Sequence, residues 1–76
     1  MAELLAFLAR ELVADPDAVR VETEERDDGA VVLHLHVAPD DVGKVIGRGG
    51  RIIRALRTVV RAASVREGRR VLVEVA

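Results

Sequence analysis

The sequence predicts an α+β fold, with three helices on one face of a three-stranded mixed sheet in the order α-β-β-α-α-β. Three observations carry this. Two alternating stretches flank Asp28-Gly29, a pair of helical stretches is split by Gly47-Arg48-Gly49-Gly50, and a last valine alternation runs from Val71 to Val75. Half of the 76 residues are hydrophobic, enough for one domain over residues 1–76 whose modest core needs no metal or disulfide staple; the chain has no Cys.

Leu5, Leu8 and Leu12, with Leu4 beside them, place residues 3–14 in an amphipathic helix ended by Asp15-Pro16, and Phe7 and Leu4 broaden its apolar stripe. Glu3, Arg10 and Glu11 argue against a signal peptide or a membrane span, so a soluble cytoplasmic protein is the expectation. Val19, Val21 and Thr23 alternate with Arg20, Glu22 and Glu24 in a half-buried strand. Asp28-Gly29 turns the chain, and Val31, Leu33, Leu35 and Val37 alternate with Val32, His34 and His36 in a second strand, completing a hairpin.

Pro39-Asp40-Asp41 signals a helix start, with acids at the positive end of the dipole, for a short helix over 40–46. A longer helix covers 51–65, with Ile52, Ile53, Leu56, Val59, Val60 and Ala63 on one face and Arg51, Arg54, Arg57 and Arg61 on the other. A loop at 65–69 leads to the strand 71–75. Because the third strand follows a two-helix crossover, all helices fall on one side of the sheet. Val19, Val21, Val31, Leu33, Leu35, Val37, Val71, Val73 and Val75 then face them, while Val32 and Leu72 fall on the exposed side.

The formal charge of −1 conceals a dipole. Residues 1–42 hold three basic against eleven acidic side chains, a net −8, and residues 43–76 hold nine basic against two acidic, a net +7. Local potential rather than the total steers a polyanion, and the basic half contains the glycine turn. Gly47 and Gly50 allow a ligand backbone to approach, and the amides opening the next helix are donors for an anion, which suits phosphate.

Other chemistries fail on pattern. A Walker phosphate loop would need Gly and Ser or Thr where Ala38 and Val45 stand around Gly43-Lys44. A dinucleotide fingerprint would need a strand before the glycines and a third glycine where Ile52 stands. Arg48-Gly49-Gly50 is a single copy between apolar helices, unlike RGG repeats of disordered tracts. His34 and His36 share one side of a strand, but no Cys completes a ligand set, and Glu22 and Glu24 read as their charge neighbours, so no metal is expected. Ser64 has no histidine beside it in sequence, and no enzyme reading holds.

The run Ile46-Gly47-Arg48-Gly49-Gly50-Arg51-Ile52-Ile53, set between two helices in this element order, resembles a type II KH domain. The longer stretch from Gly43 to Val60 resembles the small stand-alone bacterial KH proteins of the KhpA family, and the likeness spans the chain. The resemblance implies that the loop Gly47 to Gly50 grips the backbone of about four single-stranded nucleotides, with bases in an apolar groove between the two middle helices and the last strand. It also implies that Val45, Ile46 and Ile53 line that groove and that Lys44, Arg48 and Arg51 meet phosphates, with Arg54 close behind. The pattern departs at Gly49, which leaves Arg48 as the one cation at the two variable loop positions.

By the same resemblance the protein is a non-catalytic, cytoplasmic binder of single-stranded RNA with little sequence preference, acting as a post-transcriptional regulator or RNA chaperone. It implies no cofactor, a homodimer, and a larger KH-containing partner of the KhpB (Jag, EloR) type in cell elongation. The rival is a protein-interaction module on a KH scaffold, with the acidic run Glu22 to Asp28 docking a basic partner.

Overall fold

In the computed structural model, which describes residues Met1–Ala76, the predicted order α-β-β-α-α-β is realised as α1 (Ala2–Leu12), β1 (Arg20–Glu25), β2 (Val31–His36), α2 (Val42–Ile46), α3 (Arg51–Ser64) and β3 (Val71–Val75). Short 3-10 turns at Pro16–Ala18, Pro39–Asp41, Arg48–Gly50 and Val65–Glu67 extend or join these elements. The first helix stops at Leu12, short of the predicted residue 14, and the start of the second predicted helix is a 3-10 turn because Pro39 opens it.

The sheet order is β1-β2-β3. β1 and β2 are antiparallel, with Val21 opposite Leu35 and Thr23 opposite Leu33; Asp28 Oδ1 accepts from the Ala30 amide at 2.9 Å in the hairpin turn. β2 and β3 are parallel, with Leu33 opposite Val73. A parallel neighbour cannot follow a tight turn, so the chain crosses over through α2 and α3. The crossover places the glycine turn at the end of the helical layer.

Val19, Val31, Leu33, Leu35 and Val73 form the sheet side of the core, with Val21, Val37, Val71 and Val75 partly buried around them. From the helices come Leu5, Ala6, Ala9, Val45, Ile53, Leu56 and Val60. Here the structure corrects the helical stripe. α1 turns Leu5, Ala6 and Ala9 inward and leaves Leu8 half-buried and Leu12 and Phe7 exposed. Two alanines on the inner face let the helix lie close to the sheet, which pushes the bulky leucines to its flank. On α3, Ser64 rather than Ala63 completes the buried row, its Oγ donating to the Arg61 carbonyl, while Val59 is exposed.

Val32 is also corrected. It points away from the helices yet is wholly buried. Glu24 and Leu72 flank it in register, and beside it His34 Nε2 bonds Glu24 Oε1 at 2.7 Å while Arg26 reaches Glu74 at 3.7 Å. His36 Nε2 lies 2.6 Å from Glu22 Oε1. Polar and charged side chains thus surround the buried Val32 on this face.

Candidate nucleic-acid interface

α2 ends because Gly47 leaves helical space at φ 76° and ψ 170°, its amide still donating to the Gly43 carbonyl at 2.9 Å. Gly49 at φ 64° and Gly50 at φ 75° follow in the left-handed region, and the Gly50 amide closes the turn on the Gly47 carbonyl at 3.1 Å. α3 then starts at Arg51 with no side-chain cap and no acid in its first turn. The Arg51 amide donates to the Arg48 carbonyl across the 3-10 turn, and the positive end of the 14-residue helix dipole lies beside the exposed side chains of Arg48 and Arg51. An anion is the natural complement of this arrangement.

The ten sequence-predicted residues fall into three groups. Gly47, Arg48, Gly49, Gly50 and Arg51 form the loop surface, and neither arginine side chain enters a hydrogen bond or ion pair within the chain. Lys44, Arg54 and Ile46 are exposed around it, but two of them are engaged: Lys44 Nζ sits 3.2 Å from Asp41 Oδ1, and the Arg54 guanidinium donates to the Gly49 and Gly50 carbonyls at 2.9 and 3.3 Å. Val45 and Ile53, expected to line the groove, are core residues at 0 and 7 % exposure. They face inward because each lies on the core side of its helix and anchors one end of the loop.

Between α3 and β3 lies a cleft of about 210 Å³ lined by Arg57, Arg61, Val71, Leu72, Val73 and Glu74. Arg57 Nε donates to the Val73 carbonyl at 3.2 Å, tying the helix to the free edge of the sheet. The spacing of Arg54, Arg57 and Arg61 marks an exposed helix face, yet nothing in it signals that two of these groups are spent on backbone carbonyls.

Asp41 is the polar residue that sequence reasoning undervalued. It is 2 % exposed and accepts from the Ala14 and Asp15 amides at 3.2 and 3.0 Å, clipping the end of α1 to the start of α2. Burial, the largest single influence, pushes its carboxyl pKa up. The Ala14 and Asp15 amides and Lys44 together outweigh it and hold the value below normal.

On the far side of α3, Leu8, Leu12, Ile52, Ala55, Leu56 and Val59 line a second cleft of about 290 Å³, with Glu11 at its rim. No helix is long and apolar enough to cross a membrane.

Comparison with known proteins places this architecture. A family model described as KhpA/KhpB, KH domain, matches residues 2–75. A protein named RNA-binding protein KhpA from Clostridium acetobutylicum is 49 % identical over 75 residues, covering 99 % of each chain. The protein of the same name from Aquifex aeolicus is 44 % identical, covering 99 % of this chain and 94 % of its own. Among solved structures, Aquifex aeolicus Era Y63A bound to GDP.AlF4- superposes with a TM-score of 0.66 at 20 % identity. Era in complex with MgGDPNP and nucleotides 1506-1542 of 16S ribosomal RNA also superposes at 0.66. The match covers 97 % of this chain but only 28 % of each Era chain, so it concerns the fold alone.

Proposed function

The chain belongs to the KhpA/KhpB KH-domain family, and from that premise we propose that it is a non-catalytic RNA-binding protein that holds the backbone of single-stranded RNA at its glycine loop. The observation that carries this reading is the uncapped start of α3 framed by Arg48 and Arg51, two cations with no partner in the chain. Phosphate oxygens would meet the guanidinium groups and the positive end of the helix dipole there, and the bases would run toward the Leu72 side of the α3–β3 cleft. With a single Phe and no Trp or Tyr, the chain has no stacking platform, so base preference is mild.

The test is the double substitution Arg48→Asp with Gly49→Asp. A Cβ at residue 49 meets nothing within 4 Å, and Asp tolerates the left-handed φ found there, so the fold survives. Two carboxylates would repel phosphate. Loss of oligoribonucleotide binding in gel shift with an unchanged circular dichroism spectrum supports the reading; binding equal to the parent's sinks it.

The apolar cleft between α1 and α3 favours a second activity of the same chain, self-association as a two-fold homodimer. Leu12 and Val59 are 37 and 44 % exposed at its mouth, and the only charged residue lining it is Glu11. A two-fold copy would cover this face with the same face. Because one family description spans KhpA and KhpB, we further propose a larger KH-containing protein as partner, and with it a place in cell elongation. Co-purification with a tagged copy of that partner tests this.

A further inference from the structure

The glycine loop is made of residues that hold no shape by themselves. Three of its four positions are glycine, the residue that loses most freedom on ordering, and none of the three is locked by a capping side chain. The backbone closes the turn from the Gly50 amide to the Gly47 carbonyl, and one side chain braces it further. From the first turn of α3, Arg54 sends Nη2 to the Gly49 carbonyl at 2.9 Å and Nε to the Gly50 carbonyl at 3.3 Å. A planar guanidinium fork that meets two successive carbonyls fixes both peptide planes, and an ammonium cannot copy that geometry.

We propose that Arg54 is a positioning residue for the loop: it fixes the Gly49 and Gly50 peptides in the RNA-binding conformation and does not itself grip phosphate. The proposal rests on the RNA-binding reading above and assigns a division of labour within it. Arg48 and Arg51, free of internal partners, face the ligand, while Arg54 faces the loop. Its bonds have an electrostatic consequence. The oxygens of residues 49 and 50 are the negative ends of their peptide dipoles, and Arg54 keeps them turned to a cation rather than toward an incoming anion. The ordering cost that a glycine-rich tip would otherwise impose at binding is met in the free protein.

The experiment compares the parent with Arg54→Lys and Arg51→Lys, which all carry the same charge, so long-range attraction for RNA is unchanged. Nitrogen-15 relaxation is measured on the Arg48, Gly49 and Gly50 amides without RNA. Affinity for an eight-nucleotide single-stranded RNA is then measured at several salt concentrations. In the parent and in Arg51→Lys the order parameters stay near those of rigid backbone, about 0.85, and in Arg54→Lys they fall toward about 0.6. Affinity in Arg54→Lys drops roughly three- to tenfold through lost preorganisation, with the salt slope of the parent. Loop order unchanged in Arg54→Lys overturns the proposal, and so does a loosened loop with undiminished affinity. If no protein in the set binds RNA, the functional reading fails, while the relaxation data still decide whether Arg54 holds the loop.

Discussion

Gly47 and Gly43 stand four residues apart and are used in opposite ways. At Gly47, φ is 76° and ψ 170°, and an added Cβ would clash with Ile52 Cγ1 and lie 2.9 Å from the Ile52 amide nitrogen. Gly47→Ala is expected to destabilise the fold by about 1–3 kcal/mol. Gly43 lies inside α2 at ordinary φ, and a Cβ there meets nothing within 4 Å, so Gly43→Ala is expected to stabilise by about 0.5–1 kcal/mol. Urea unfolding of the two variants checks both signs. Asp41 gives a prediction in pH. Its carboxyl titrates at 3.8 when unfolded and lower when folded. The stabilisation is therefore complete above 3.8 and disappears as pH falls through the folded value. Asp41→Asn should melt lower than the parent at neutral pH and lose less stability between pH 4 and 2, as followed by thermal melts at each pH.

At the scale of elements, the six helices and strands are legible because period two and helical spacing scarcely overlap in this chain. Val31 to Val37 cannot be read as a helix, nor Arg51 to Ser64 as a strand. The rotation of α1 is not legible, because Leu8 and Ala9 are adjacent and hydrophobicity alone favours burying the leucine; the close approach to β1 and β2 decides for the alanine. The loop's left-handed glycines are legible as glycines. That Arg54 serves them depends on side-chain direction, which a motif does not carry, whereas the helical spacing already sets Ile53 on the inward face. The leucines displaced by that rotation, with Ile52 and Val59, make the α1–α3 cleft. If this cleft is the homodimer face, Val59→Asp gives a monomer of 8.3 kDa in sedimentation at high micromolar concentration, where the parent sediments as a dimer. Val59 is 44 % exposed, so the monomer itself stays folded.

Over the whole molecule, the basic half is less available than its charge count implies. Lys44 is paired with Asp41 and Arg69 with Glu25, while Arg54 and Arg57 serve backbone carbonyls. Arg48, Arg51 and Arg61 remain along the path proposed for RNA. With about three phosphates neutralised, log affinity for a single strand should fall against log salt with a slope of about −2. Fluorescence anisotropy of short labelled RNAs of different sequence measures the slope and the base preference together; a flat response, or strong discrimination between single-base variants, contradicts the reading. The bond from Arg57 to Val73 has a different consequence. β3 is an edge strand rich in valine, the kind of border on which another chain could add a strand of its own. Arg57 occupies an acceptor on that border, and at the opposite border β1 presents Arg20, Glu22, Glu24 and Glu25 to solvent. Strand addition is thus disfavoured at both borders, by an occupied acceptor on one and by charged side chains on the other, which lowers the tendency of crowded copies to stitch into fibrils.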